Sequence, residues 1–210
     1  MLMKVVNLYS GGFYSNTYVV GEEGQPCLII DFGDNRNERL FSYVNRHHSK
    51  LEGILLTHGH FDHLAGFKET ALLPCPVYLG FEDERCLNDG HFNASSDLLG
   101  EEITFPNLNP CLISNNDDLI FPDFRVKVIA TPFHTCGSVC FYFENEKVLF
   151  SGDTLFHLGI GRDDLRGSCP KEKSKSLKKL ISLPQETIVY PGHGPKTTIG
   201  NELAFNPYLS

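Results

Sequence analysis

The stretch GILLTHGHFDH, residues 53–63, decides the fold and places a candidate site within it. Its first part, residues 53–57, is almost continuously apolar, which is typical of a strand that is buried on both faces of a sheet. Its second part puts four ligand-type side chains into six residues, namely His58, His60, Asp62 and His63. A helix is expected over residues 64–70, so these four side chains gather where a buried strand ends.

Three further polar residues follow other predicted strands. His134 lies in TPFHTCGS, Asp153 in LFSGDTLF and His193 in VYPGHGP. Glycine or proline bounds each segment, and both suit the tight turns that present a side chain into a cleft. A single histidine after a strand is more often structural than a ligand. Together with residues 58–63, however, the three favour one shared site, because strand ends are where α/β scaffolds gather functional residues.

The order of predicted elements indicates an α/β fold with two strand-rich halves. Short runs rich in β-branched and aromatic residues predict strands over residues 3–8, 14–20, 26–33, 53–57, 124–131, 139–144, 147–153 and 186–192. Helical spacing predicts helices over residues 37–48, with Asn35 as the N-cap, and over residues 171–183. Residues 81–118 are poor in periodicity and rich in turn formers, which predicts long loops with one short helix.

Length and charge predict one domain, residues 1–210, that works in the cytoplasm. A chain of 210 residues with 41% hydrophobic residues can bury a core without crosslinks. Its net charge of -8 disfavours binding to nucleic acid and to anionic membranes. The first apolar stretch is too short for a signal peptide, and no run is long enough to span a bilayer. We therefore expect neither a nucleic-acid nor a membrane partner.

The seven cysteines predict a reducing compartment and no disulfide bond. Their number is odd and their spacing shows no paired framework. Cys136 and Cys140 lie four residues apart, and the segment around Cys140 has the pattern of a strand. We interpret both as buried small side chains and not as metal ligands.

The motifs THGHFDH, TPFHTCGS, SGDTLF, GIGRDDL and YPGHGP, in this order, resemble those of the metallo-β-lactamase superfamily, and within it the short bacterial members of the glyoxalase II-like (hydroxyacylglutathione hydrolase-like) group. The resemblance covers nearly the whole chain. It implies a four-layer αβ/βα sandwich, the metallo-β-lactamase fold, with two metal ions at one edge. By resemblance, the first metal is held by His58, His60 and His134, and the second by Asp62, His63 and His193. Asp153 would bridge the two.

The donor set itself favours zinc, with iron as the other option. Neutral imidazoles and carboxylates suit these ions better than the all-oxygen shell that Mg²⁺ or Ca²⁺ prefers. Two such ions lower the pKa of a shared water toward about 7, so that hydroxide can attack a carbonyl carbon. The expected function is hydrolysis of a small-molecule thioester such as S-lactoylglutathione. Asp62 and Asp153 are the predicted catalytic residues, and Asp62 would act as general base if one metal alone is bound.

Two positions near the motifs bear on the substrate. Arg162, in GIGRDDL, is a candidate anion contact, because a guanidinium can hold a carboxylate through two parallel hydrogen bonds. Phe133 stands where the family usually has glycine, and it is expected to narrow or reshape the cleft mouth. The helical domain that contacts glutathione in longer glyoxalase II enzymes has no counterpart in the sequence, so the glutathione thioester is implied by resemblance alone.

Three other functions stay open at this point. A persulfide dioxygenase of the same fold would use one iron held by His58, His134 and Asp153, a site of two histidines and one carboxylate. A lactonase or β-lactamase fits less well. A metal-stabilised binding module without activity would unfold when its metal is removed. The sequence does not determine the oligomeric state.

Overall fold

The computed structural model describes residues 3–11, 14–33, 37–69 and 75–209. These residues form two six-stranded sheets, one two-stranded hairpin and five α-helices. The strands are β1 (Val5–Gly11), β2 (Tyr14–Val20), β3 (Cys27–Ile30), β4 (Leu51–Leu55), β5 (Val77–Gly80), β6 (Cys111–Ile113), β7 (Asp118–Ile120), β8 (Arg125–Ala130), β9 (Val139–Phe143), β10 (Val148–Gly152), β11 (Leu155–Phe156), β12 (Gly159–Ile160), β13 (Ile188–Pro191) and β14 (Thr197–Thr198). The helices are α1 (Asn37–His47), α2 (Phe61–Leu64), α3 (Ser95–Leu99), α4 (Lys173–Ile181) and α5 (Ile199–Phe205). Short 3-10 helices span Ala65–Glu69, Phe81–Leu87 and Pro170–Glu172.

The first sheet takes its strands in chain order, from β1 to β6. Strands β1 to β3 pair antiparallel, and β3, β4, β5 and β6 pair parallel to one another. The carboxyl ends of β3, β4 and β5 therefore meet at one edge. The stretch that carries His58 to His63 leaves the sheet there, directly after β4.

The second sheet has the order β14-β13-β10-β9-β8-β7. The strands predicted over residues 139–144 and 147–153 correspond to β9 and β10, which pair antiparallel as a hairpin. Strand β13 lies parallel to β10, so the segments that follow these two strands also leave at a common edge. They carry Asp153 and His193.

Three apolar clusters show why the sheets and helices stack as four layers. One lies between the sheets, and two others lie between each sheet and its own helices. In β9, Phe141 faces the core between the sheets while Cys140 faces the cluster that contains Leu180 of α4. Since both faces of the central strands are buried, their sequences are continuously apolar. The predicted four-layer αβ/βα sandwich is confirmed.

Several local predictions need correction. The helix expected over residues 64–70 begins earlier, at Phe61, and continues as a 3-10 helix to Glu69, while Thr70 lies outside the described residues. Asn35, the predicted N-cap of α1, also lies outside them. The segment of residues 81–118 contains a strand, β6, besides its 3-10 helix and α3. Its three residues are too few for a periodic signal, and pairing with β5 supplies the order.

Within the described residues, none of the helices combines the length and the apolar character that crossing a bilayer requires.

Candidate metal centre

The seven side chains singled out in the sequence meet at the edge where both sheets end. The first four come from the loop after β4 and from α2, and the other three follow β8, β10 and β13. The histidines at positions 58, 60, 63 and 134 are at most 4% exposed. Asp62 and Asp153 are slightly open, and the side chain of His193 is 34% exposed. The site is thus buried on three sides and reaches solvent beside His193.

Their ligand atoms form three overlapping groups, each with its atoms within 4.8 Å of one another. The groups are His58, His60 and His134; His58, His63 and Asp153; and Asp62, His63 and His193. We call the first and the last of these the triple-histidine group and the aspartate group. They correspond to the two metal positions that the family resemblance implies.

Asp153 lies between the triple-histidine group and the aspartate group. Its Oδ2 is 3.4 Å from Nε2 of His134 and 3.6 Å from Nε2 of His193. Its Oδ1 is 3.4 Å from Nε2 of His63. In the aspartate group, Oδ2 of Asp62 lies 3.0 Å from Nε2 of His193. One carboxylate therefore reaches both groups, as a bridging ligand must.

The polar atoms of the site fit metal ions. Among the described residues, five buried atoms that point into the site have no hydrogen-bond partner: Nε2 of His58, His60, His63 and His134, and Oδ1 of Asp153. Buried polar groups without partners are costly and rare in folded proteins. Divalent ions bound by the two groups would satisfy all five, and the mix of imidazole and carboxylate suits Zn²⁺ or iron.

Polar contacts at Nδ1 fix the orientation of three of these rings. Nδ1 of His134 donates to the backbone carbonyl of Arg162 at 2.7 Å. The hydroxyl of Thr57 donates to Asp31, so it accepts from Nδ1 of His58 at 3.2 Å. Nδ1 of His63 lies 2.9 Å from Oδ2 of Asp31. His58 and His134 are thereby held with the proton on Nδ1, and the lone pair on Nε2 of each ring faces the site.

Asp31 is a site residue that the motif analysis missed. It follows β3, is 1% exposed and has a left-handed backbone with φ of 56°. Besides His63, it holds the backbone N–H and the hydroxyl of Thr57. The signal was present in the sequence, since LIIDFG places a carboxylate directly after an apolar strand, as SGD does for Asp153.

Burial and neighbouring charges separate the histidines of the site into two kinds. Burial, together with the neighbouring imidazoles, holds the pKa of His58 far below its usual range. Burial and His134 lower the pKa of His60 to about 3. These two rings are therefore neutral at pH 7, as ligands must be. Burial also lowers the pKa of His63, but Asp31 and Asp62 outweigh it and hold that pKa well above the usual range.

Arg162 and Phe133 lie next to His134, Phe133 as its neighbour in sequence and Arg162 through a hydrogen bond. The guanidinium of Arg162 is about half exposed and pairs with Asp164 through two hydrogen bonds of 2.6 and 2.9 Å. Its backbone carbonyl, and not its side chain, orients His134. Phe133 is completely buried, so its ring supports the loop from within and does not narrow the cleft mouth.

The prediction of no disulfide is wrong. Cys136 and Cys169 form a disulfide bond across 33 residues of chain, with their Cα atoms 5.3 Å apart. The backbone N–H of Cys136 donates to the carbonyl of Gly167, and that of Cys169 donates to the carbonyl of Phe133. These hydrogen bonds bring together two loops that are far apart in sequence, so the spacing of the cysteines does not indicate that Cys136 and Cys169 pair. The other five cysteines are free, and Cys140 is buried as predicted.

Comparison with known proteins agrees with this geometry. A family model described as the metallo-beta-lactamase superfamily matches residues 10–193. The chain belongs to this superfamily. Two curated relatives align with this chain over nearly its full length. One is a Bacillus subtilis protein named probable metallo-hydrolase YqgX, which is 35% identical and aligns over 99% of this chain and 98% of its own. The other, from Haemophilus influenzae, is named hydroxyacylglutathione hydrolase GloC, and is 31% identical over 94% of both chains.

Two solved structures show the same fold. The B3 metallo-beta-lactamase BLEG-1 superposes with a TM-score of 0.89 and 38% identity, and the match covers both chains fully. A protein called TTHA1623, solved in a di-iron-bound form, superposes with a TM-score of 0.81 and 37% identity. That match covers 98% of this superfamily member and 100% of the other chain.

Proposed function

We propose that this chain is a metal-dependent hydrolase that cleaves a small-molecule thioester such as S-lactoylglutathione. The observation that carries the proposal is the pair of ligand groups with Asp153 between them, in which Nε2 of His58, His60, His63 and His134 is buried without a hydrogen-bond partner. A purely structural zinc site is closed by four protein ligands, often cysteines. Here none of the seven side chains is a cysteine, and the aspartate group reaches solvent at His193, which leaves room for water and substrate.

In this proposal the triple-histidine group would hold one ion and the aspartate group the other, and Asp153 lies close enough to serve as a ligand in both groups. Bound zinc or iron would polarise a carbonyl oxygen and make hydroxide available at neutral pH. The chain's own contribution is to keep His58 and His60 neutral, to fix ring orientation through the Nδ1 bonds, and to shield the site from bulk water. Asp62 serves mainly as a ligand, because it lies within 3.0 Å of His193.

The choice of a thioester is supported by the relatives. The Haemophilus influenzae relative is named for hydrolysis of hydroxyacylglutathione, and it aligns with this chain almost end to end. Arg162 is the proposed contact for an anionic part of the substrate. Its guanidinium is exposed and faces Asp164, so a substrate carboxylate would take the place of Asp164 on the same two N–H groups. A small thioester in the cytoplasm remains the proposed partner, with no nucleic acid and no membrane.

Elemental analysis of the freshly purified full chain, run beside an assay of S-lactoylglutathione hydrolysis, tests the proposal. We expect about two zinc or iron ions per chain, as in a two-metal hydrolase, and hydrolysis that stops on chelation and returns with added metal. Asp97→Asn, an exposed carboxylate that pairs with His91, is the matched control and should behave as wild type.

The same preparation separates the competing functions. One iron per chain, with oxygen consumed when a persulfide is supplied, would replace the proposal by a dioxygenase. Rapid hydrolysis of a β-lactam with no thioester cleavage would favour the activity for which the structural neighbour BLEG-1 is named. Bound metal with no turnover of any of these substrates would leave a metal-stabilised binding module.

A further inference from the structure

A carboxylate outside the seven site residues joins two loops of the site. Asp83 lies on the 3-10 helix Phe81–Leu87 and is 1% exposed. Its Oδ2 accepts a hydrogen bond from the backbone N–H of Gly59 at 2.8 Å and another from the hydroxyl of Thr135 at 2.7 Å. Its Oδ1 accepts from the backbone N–H of Gly137 at 2.8 Å. Gly59 stands between His58 and His60, whereas Thr135 and Gly137 closely follow His134 in the chain.

The packing at these contacts leaves no room for a side chain on Gly59 or Gly137. A Cβ atom on Gly137 would lie 2.5 Å from Cγ of Asp83, and one on Gly59 would lie 2.6 Å from Cβ of Cys86. Real Cβ atoms do not approach so closely, so both positions require glycine. The 3-10 helix therefore sits directly against the backbone of both loops, and Asp83 bonds to each loop at the point of closest approach.

These two loops come from opposite halves of the chain and carry the entire triple-histidine group. The loop at Gly59 belongs to the first sheet, and the loop at Gly137 belongs to the second. An ionised carboxylate makes stronger hydrogen bonds than a neutral acceptor, and in a buried place its loss leaves donors without partners. This carboxylate therefore joins the loop that carries His60 to the loop that carries His134.

We propose that Asp83 is a positioning residue that sets the spacing of the triple-histidine group and thereby the affinity of this group for its metal ion. The inference rests on the proposed metal binding. It extends that proposal by naming a carboxylate on which the metal affinity of one group depends. This carboxylate accepts hydrogen bonds from backbone N–H groups and a hydroxyl of the loops, and it does not bond to the histidine rings. Asp31 holds the corresponding place behind His63 in the aspartate group.

The decisive variant is Asp83→Asn, which preserves volume. Whichever way the amide lies, its NH2 group faces at least one backbone N–H that the carboxylate now binds. Zn²⁺ affinity is measured by chelator competition on the full chain in two backgrounds. His193→Ala retains the triple-histidine group, and His60→Ala retains the aspartate group. We expect Asp83→Asn to weaken binding by about 10–100-fold in the first background and by far less in the second.

Two further variants complete the test, one that removes a single hydrogen bond to Asp83 and one that serves as a control. Thr135→Val removes one of the three bonds and should weaken Zn²⁺ binding in the same background, but less, even if Asp83→Asn does not fold. Glu202→Gln is the matched control, since Glu202 is another fully buried carboxylate and its donors belong to other residues. It should leave Zn²⁺ affinity unchanged. Amide exchange gives a readout without metal, because the N–H groups of Gly59 and Gly137 should exchange faster in Asp83→Asn.

The inference is overturned if Asp83→Asn weakens both backgrounds equally, if it weakens neither, or if Glu202→Gln causes the same loss. If the wild-type chain binds no metal, both the proposed function and this inference fail. If instead the wild type holds metal and cleaves the thioester while the Asp83→Asn chain binds Zn²⁺ as tightly as its parent, the positioning role alone fails.

Discussion

Asp153 has the largest expected effect of any single site residue, because it is the carboxylate that reaches both ligand groups. Replacing it with alanine should remove most of the bound metal and most of the turnover together. The loss should exceed the roughly 10–100-fold that follows removal of a residue that only orients a ligand. Metal content and hydrolysis rate are measured on the same samples, with Asp97→Asn as the control. An Asp153→Ala chain that retained both would contradict the proposed site.

The seven candidate residues could be selected from the sequence because their types are unusual and their positions after strands are regular, and the structure places their side chains close together. It did not predict the residues that orient them. Asp31 and Asp83 act through hydrogen bonds to parts of the chain that are 24 to 54 residues away in sequence. Arg162 orients His134 through a backbone carbonyl, which every residue type has, so no sequence pattern could point to it.

At the scale of elements, the disulfide bond joins the loop after His134 to the loop after Arg162. Closing a loop of 33 residues is expected to stabilise the fold by about 3–4 kcal/mol, mainly by restricting the unfolded chain. Denaturant unfolding of the wild type with and without reductant should show this difference. The double variant Cys136→Ser, Cys169→Ser should match the reduced wild type and should not respond to reductant. Equal midpoints for oxidised and reduced wild type would show that the bond contributes nothing.

Helix α5 is tied to the β11–β12 hairpin by one buried carboxylate. Glu202 accepts from the backbone N–H of Leu158, from the hydroxyl of Thr197 and from the side-chain amides of Asn201 and Asn206. Burial raises the pKa of Glu202, but these donors outweigh it and lower the pKa below the usual value. We expect Glu202→Gln to reduce the free energy of unfolding by about 2 kcal/mol at pH 7.

The sign of the pH dependence follows from the lowered pKa. The stability that Glu202 contributes is fully present above its unfolded pKa of about 4.3 and is lost as the pH falls through the folded pKa. The difference in unfolding free energy between wild type and Glu202→Gln should therefore be constant near neutral pH and should shrink below about pH 4. Urea unfolding across this range measures it. A difference that grew in acid would contradict the assignment.

The elements that were predicted correctly are those with a strong period or a long apolar run, such as α1, β4 and β9. Helix α5 was not predicted at all. Its seven residues have little helical pattern, and its order depends on Glu202 and on Ile199, which packs against the outer face of the second sheet. Such tertiary contacts cannot be derived from local sequence.

For the whole molecule, removal of metal should separate activity from folding. Three apolar clusters hold the four layers together, and they do not involve the site residues. Chelation should therefore abolish hydrolysis while far-ultraviolet circular dichroism stays close to that of the untreated chain. Re-addition of zinc should restore the rate. Complete unfolding on chelation would instead favour the metal-stabilised binding module.

The two sheets divide the chain at a single point. The strands of one sheet lie between residues 5 and 113, and those of the other lie between residues 118 and 198. The site takes four of its seven side chains from the first half of the chain and three from the second. Cutting the backbone between residues 113 and 118 would leave two fragments, each with a bare apolar face and an incomplete set of ligands. Reassociation of the fragments would hide both faces from water, and zinc uptake by the mixture would then report that the halves had found each other.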